Sequence, residues 1–588
     1  MSILIKTVRV SGLRGLQNIE VELEPVTVLT GMNNTGKTSF LKAMQLALGN
    51  RQFINHDDFY VSDSKSSDQI IIDIKIVPVS KDGKNSNDFH ENWETLFTED
   101  RIIIDDEGKS YIPLRTIVTY DEIKATYKTK QYILPDWPPL KNEDNEYWYQ
   151  TANGNEKVFH YDEVQFFYMD AQRDILEDIK LRSSYLGKMI SKIEYSKEDV
   201  KTIEQQIKEL NEQTVNSSTI LSNIKNTLKE LDSAMDTSSE GVELTPFTKK
   251  IRDLNKGLSI HYSDNKDSFS MEYHGMGTRS WSSLLTLKAF INLLDKNAEN
   301  EQTPFFPILA IEEPEAHLHP NAQKKLYKQI SGVKGQKIIS THSPYIAASA
   351  ELSQIRNFYK DEVSVYCGAI QIKKLSSEDI RKIKRQVIHT RGEIFFSKAI
   401  IFFEGETEEQ ALPIFAEHYF KRTPDEMGIN FIGVGGHGNY LPFIRVVESL
   451  NIPWFIFSDA EQKVKASVKK QFADSYSKRS EMDVVTFLSD ENNFENQLIS
   501  DGYSDAIRES LIKIEIPMCH NPQHVEAKKK EISNYDDTKL CKIITNSKTQ
   551  FGPIIAETII KNNKPLPPKV IELFEKVKTL FEKKDQDE

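Results

Sequence analysis

The stretch GMNNTGKTS, Gly31 to Ser39, restricts the fold of this chain more than any other. It fits G-x-x-x-x-G-K-[ST], follows the apolar run PVTVLT and opens SFLKAMQLAL, where Phe40, Met44, Leu46 and Leu48 read as a buried helix face. Strand, glycine turn and helix together make a phosphate cradle. Backbone amides of Asn33, Asn34, Thr35, Gly36 and Lys37 converge at a helix N-terminus, where the helix dipole favours anions. Lys37 can reach the β- and γ-phosphates of ATP, and the Thr38 hydroxyl can hold Mg²⁺. A strand that feeds such a loop belongs to an α/β sheet.

A second element must supply acids for the metal and for water. FPILAIEEPEAHLHP has four apolar residues, Ile308 to Ile311, ending in Glu312 and Glu313, as a buried parallel strand would. Glu312 takes the place of the metal-holding carboxylate, and Glu313 is placed to polarise the attacking water. QKIISTHSPYI reads as another buried strand, whose end carries His342 within reach of a γ-phosphate. In HGMGTRSWSSLLTLKAF a small, glycine-rich turn with Gly275, Gly277, Ser280 and Ser282 precedes a helix. That helix start can bind the γ-phosphate held by a second copy.

At 588 residues the chain needs two or three domains. Its apolar runs are too short to span a bilayer, and MSILIKTVRV lacks the pattern of a signal peptide. Three scattered cysteines make no disulfide framework, so a cytoplasmic location is expected. A net charge of −13 argues against a surface coated for nucleic acid but leaves room for local basic patches.

Residues 1–174 read as the first part of an ATPase domain, with QIIIDIKIVPV, RIIIDDEGKSYIPLRTIVTY and KATYKTKQYILPDW as an antiparallel sheet. Residues 175–250 read as a helical hairpin insert that could dimerise. One seam is Val200, Ile203, Ile207 and Leu210, and the other is Leu221, Ile224, Leu228, Leu231 and Met235, with the polar NEQTVNSST as the turn. Residues 251–390 complete the ATPase part. The basic IKKLSSEDIRKIKRQVIHTRGE then leads into a second α/β domain over 391–588.

That domain opens with IFFEGETEEQA, which sets four glutamates behind a buried strand. Glu404 and Glu408 lie one helical turn apart, on one side, whereas Glu406 and Glu409 point to solvent. IPWFIFSDAEQ brings Asp459 and Glu461 at a spacing that shares one strand face, and NNFENQL adds Glu495. Five carboxylates at successive strand ends suit one or two hard cations, Mg²⁺ or Mn²⁺. MCHNPQH has no second cysteine pair, so no zinc is expected.

The order P-loop, GMGTRS, AIEEPEAHLHP and STHSP resembles an ABC-type ATPase head of the SMC and RecF kind. In that group two heads close on ATP, which implies a homodimer or higher oligomer, a trans contact at Ser280, and Gln172 of YMDAQRDIL as a nucleotide contact. The turn departs from LSGGQ, and EAHLHP carries His317 and His319. FFEGETEEQ, GVGGHGNY and FIFSDAEQ resemble a Toprim domain, with Glu461 where the second Asp of D-x-D would stand. A head followed by a Toprim domain is similar to the OLD (overcoming lysogenization defect) nuclease family. The resemblance implies an ATPase and a metal-dependent DNA endonuclease, with Mg²⁺, Mn²⁺ or Ca²⁺ at the Toprim acids and Lys548 of TNSKTQFGPIIAE assisting the transition state. It also implies a role in phage defence. Members of that family act alone or beside an operon partner, and a helicase, or a retron reverse transcriptase with its DNA–RNA product, is a candidate partner. An ATP-driven DNA-binding scaffold with an inert Toprim part is the competing expectation.

Overall fold

The computed structural model describes residues 3–49, 54–62, 65–80, 86–121, 123–140, 146–149, 159–181, 183–191, 196–228, 246, 260–264, 267–361, 364–389 and 392–585. The run IEVELEPVTVLT divides at Pro25, which cannot donate to a ladder. Ile19–Glu22 pairs with Ile3–Ser11 in an antiparallel sheet that continues through Gln69–Pro78, Ser110–Asp121 and Thr126–Ile133. Val26–Thr30, buried at every position, enters a different sheet.

That second sheet runs Val164–Met169, Phe306–Glu312, Gln336–Ser340, Val26–Thr30 and Ile355–Asp361, all parallel, with Ser364–Ala369 as an antiparallel edge. The three strands with uniformly buried runs, VTVLT, FPILAIE and QKIIS, are central because helices cover both faces of a parallel sheet. The P-loop and the Glu312–Glu313 pair therefore leave the same sheet edge.

The insert differs from expectation in its turn. The helix Lys197–Ser217 runs straight through Asn211–Ser217, and the chain breaks only at Ser218 before the helix Thr219–Leu228. NEQTVNSS contains no glycine or proline, and exposed Asn, Gln and Thr weaken a helix without ending it. Leu210, Ile220 and Ile224 are exposed, so the seams are not closed among the described residues. Leu231 and Met235 lie outside the described residues.

Beyond the basic stretch, which forms the helix Ser377–His389, a four-stranded parallel sheet runs Ile429–Gly433, Ala399–Phe403, Trp454–Ser458 and Val485–Phe487. One apolar core reaches from Val28 beside the P-loop through Ile355 and Ile383 to Phe403, Trp454 and Phe574. The two α/β units thus share packing rather than hanging on a linker. No described helix is long and apolar enough to cross a membrane.

Candidate functional site

At the nucleotide site Gly31 and Gly36 hold φ of +126° and +93°. A Cβ at Gly31 would stand 2.1 Å from Phe358 O, so only glycine can turn there. The helix Lys37–Leu48 starts at Gly36 with no side-chain cap, which leaves its first amides for a phosphate. Lys37 Nζ donates to Gly31 O at 2.8 Å and Met32 O at 2.7 Å, so the loop's own carbonyls hold the ammonium. Burial pulls the Lys37 pKa down to about 8, against the pull of Glu313, Glu312 and Glu315.

The acids stand opposite. Thr38 Oγ1 donates to Glu312 Oε1, and Tyr168 OH donates to Glu312 Oε2 at 2.6 Å. Thr38 and Glu312, the two expected Mg²⁺ ligands, are therefore neighbours, and this donor set fits ATP with Mg²⁺. Glu313 sits at φ +42°, a left-handed turn costing about 1 kcal/mol for a non-glycine residue. His342 Nε2 lies 3.6 Å from Glu313 Oε1. Burial and then Lys37 hold the His342 pKa below its ordinary value, so the ring is neutral near pH 7. Asn33 and Asn34 are exposed on the loop, and Thr35 closes it with a bond from Oγ1 to Met32 O at 2.8 Å.

Two residues that the sequence reading did not single out hold this arrangement. Arg173 Nη1 donates to Glu312 O at 3.2 Å and Nη2 to Pro314 O at 2.8 Å, which pins the backbone on both sides of Glu313. Glu315 Oε1 accepts from Thr341 Oγ1 at 2.7 Å, His342 N at 2.8 Å and Ser343 N at 3.0 Å, which fixes the loop that presents His342. The signal for Glu315 was a third acid two places past Glu313. Arg173 stood beside the candidate Gln172 without any pattern of its own.

One assignment is corrected. Ser280 is 1% exposed, turned inward in the helix Met276–Glu301, and cannot reach a second copy's phosphate. The N-terminal turn instead presents Gly275, Met276 and Thr278. A Cβ at Gly277 would meet His317 O at 2.4 Å, so this turn packs on the AHLHP loop. Gln172 is exposed, and its backbone N–H donates to Asp170 Oδ1 at 3.0 Å.

In the C-terminal unit Glu404 follows the strand Ala399–Phe403 and is half-buried. Its Oε1 accepts from Ser458 Oγ at 2.6 Å and Tyr440 OH at 3.3 Å, which orients the carboxylate and leaves Oε2 for a ligand. Burial pushes the Glu404 pKa up, with Glu461 adding to it against Ser458, His437 and Tyr440. Glu408 is buried in the first turn of the helix Glu406–Phe420, and its Oε2 would lie 2.5 Å from a Cβ at Gly405. The carboxylate thus folds back over the Gly405 turn. Glu406 and Glu409 are exposed.

Asp459 and Glu461 do not share a strand face as their spacing suggested. The strand stops at Ser458, Asp459 is in the turn, and Glu461 caps the helix Gln462–Ser475. The cause is a contact across the chain: after Ser458 O accepts from Leu488 N on the neighbouring strand's side, Ala460 N donates to Asn492 O, so the backbone bonds to a distant loop instead of continuing the ladder. Glu495 is buried and accepts from Thr407 Oγ1 at 2.6 Å. Lys548 opens the helix Lys548–Lys561, four residues before Gly552, which packs on Thr407 and Gln410. Among the described residues, no three acids or histidines converge as a ready-made cage. The acids supply hard carboxylate oxygens, the donor type a divalent cation takes, and such a cation would supply Lewis-acid polarisation of a phosphodiester.

Residues 4–347 match the model of the AAA ATPase domain. The chain belongs to that family. Residues 395–460 match the overcoming lysogenization defect protein-like TOPRIM domain, so the C-terminal unit is an OLD-like TOPRIM domain. That span takes in Glu404, Glu408 and Asp459. Endonuclease GajA of Bacillus cereus (strain HuB5-5) is 24% identical over 516 residues, covering 77% of this chain and 73% of the relative. The OLD nuclease of Thermus scotoductus (strain ATCC 700910 / SA-01) is 24% identical over 493 residues, covering 78% and 82%. The Old nuclease of Escherichia phage P2 is 20% identical over 491 residues, covering 78% of each chain.

The Lys37 geometry makes a testable statement about pH. Without nucleotide the amine loses its proton above about pH 8. Phosphates favour the charged form, so binding takes up a proton there and affinity falls as pH rises. Calorimetric titration should show ATP affinity weakening by up to about tenfold per pH unit above 8. Lys37→Met should bind weakly with no such slope.

Proposed function

We propose that this TOPRIM-bearing AAA ATPase hydrolyses ATP in its head and cuts DNA, with divalent metal, at the TOPRIM acids. The observation that carries the reading is Glu404, anchored through one oxygen by Ser458 and Tyr440. It stands in the domain matched to OLD-like TOPRIM and shares a core with a complete P-loop site. Glu404, Glu408 and Asp459 hold the metal, Glu461 and Glu495 support it, and Lys548 neutralises charge developing on the phosphate. In the head, Thr38 and Glu312 hold Mg²⁺, Glu313 orients the water and His342 meets the γ-phosphate. Names of relatives with nuclease in them support DNA as the substrate. Phage defence is the biological setting that the OLD resemblance supports, with the chain working as a dimer or larger assembly, alone or beside an operon partner.

The scaffold reading has one observation in its favour, the absence of a converged cage among the described acids. A supercoiled-plasmid assay across Mg²⁺, Mn²⁺ and Ca²⁺, with a chelator control, separates the two. Nicking that needs metal is expected. No nicking with any of the three, with or without ATP, would leave the scaffold reading standing.

A further inference from the structure

An amide bridges the buried seam between the ATPase head and the TOPRIM domain. Thr30, the last residue before Gly31 of the P-loop, donates through Oγ1 to Asn357 Oδ1 at 3.2 Å. Asn357 Nδ2 donates to Leu450 O at 3.0 Å. All three residues are buried. The orientation of the amide is forced, because Leu450 O can only accept, so the nitrogen faces it and the oxygen faces the hydroxyl.

Leu450 is the C-cap of the TOPRIM helix Tyr440–Ser449. The carbonyls at a helix C-terminus lack partners within the helix, and Asn357 supplies one from the other domain. The far end of the same helix begins with Tyr440, whose hydroxyl holds Glu404 Oε1. Ten residues make a strut of about 15 Å. One end meets Thr30, the residue before the P-loop, through Asn357, and the other touches the Glu404 carboxylate. After Leu450 the chain turns into the strand Trp454–Ser458, which delivers Ser458 and Asp459.

The seam is close. A Cβ at Gly368 would meet Ser449 O at 2.6 Å, so the head's edge strand lies flush on the strut's last turn. Beside it a cavity of about 410 Å³, lined in part by Lys374, Arg445, Ser449 and Tyr476, leaves room for that turn to shift. Nucleotide has a direct handle on this seam. Lys37 now donates to Gly31 O and Met32 O, the peptide units just after Thr30. Phosphates compete for that ammonium, which changes the bonding of the chain one residue from Thr30.

We propose that Asn357 is a positioning residue that transmits nucleotide occupancy at the P-loop to Glu404 through the Tyr440–Ser449 helix. The basic stretch ahead of the TOPRIM domain also meets this helix, through Lys382 Nζ to Asn439 Oδ1 at 3.2 Å and Arg445 Nη1 to Lys374 O at 2.9 Å. What sets the Asn357 contact apart is its bond to Thr30, and the proposal rests on the two-site reading above. The energy conveyed is whatever differential bonding Thr30 and Asn357 make in the two nucleotide states.

The test uses the full chain and two variants. Asn357→Leu removes both bonds at similar volume, and Thr30→Val removes only the hydroxyl and so guards against a folding defect in the first. Hydrogen exchange of residues 440–450 is read with and without saturating ATP. Wild type should show a change of about twofold or more in exchange rate. Both variants should lose it while binding ATP within about threefold of wild type. In parallel, the ratio of plasmid nicking with and without ATP should move to one in both variants, with nucleotide-free nicking kept. A wild type whose 440–450 segment ignores ATP overturns the proposal, as do variants that respond as wild type does. If wild type nicks no DNA at all, the nuclease reading fails while the exchange experiment still decides the role of Asn357.

Discussion

Glu404→Ala is expected to lose plasmid nicking by on the order of a hundredfold to a thousandfold while ATP hydrolysis stays within about twofold. The size of the loss follows from the geometry. Glu404 is the acid whose direction is fixed by two hydroxyls, Ser458 and Tyr440, so no neighbouring carboxylate can replace it in place. The sparing of ATP hydrolysis follows from separation, since Lys37, Glu312 and Glu313 sit on another sheet. Ser458→Ala should show a smaller loss, because it frees the carboxylate to rotate without removing it. Initial rates at saturating metal check both variants. Wild-type nicking by Glu404→Ala would remove the metal assignment.

Glu313→Gln is expected to slow ATP hydrolysis by about 10²–10⁴-fold with ATP affinity nearly unchanged. Glutamine keeps the shape of the strained turn that Arg173 clamps, and it loses only the ability to take a proton from water. Held ATP should keep two copies together through the exposed turn at Gly275, Met276 and Thr278, so sedimentation of this variant with ATP should show a dimer or larger species. Its nicking should differ from wild type in the presence of ATP and match it without. A monomer at every concentration, with hydrolysis unchanged, would remove both the base and the trans site.

The elements whose chemistry is local were readable from the chain. GMNNTGKTS states its own glycine turns, and the buried runs VTVLT and FPILAIE state a central parallel strand. The burial of Glu408 and the exposure of Glu406 and Glu409 followed from helix periodicity, while Glu404 lies before the helix, at the end of its strand. What the chain concealed depends on contacts across long separations. Glu315 gains its role from Thr341, His342 and Ser343, and Asn357 gains its own from Thr30 and Leu450. No periodicity marks such residues. Two readings failed for a different reason, namely that spacing was taken as direction. Ser280 lies on the inner face of its helix, and Asp459 lies past the end of its strand.

The proposed function gives one chain two separate chemical sites, an ATP site in the head and a metal-dependent phosphodiesterase site in the TOPRIM domain. The most direct measurement is a pair of assays, ATP hydrolysis and plasmid nicking without nucleotide, run on the same preparations of wild type, Lys37→Met and Asp459→Ala. Lys37→Met should lose hydrolysis and keep nicking, and Asp459→Ala should lose nicking and keep hydrolysis. Either variant losing both activities while remaining folded, or neither variant losing nicking, would contradict it.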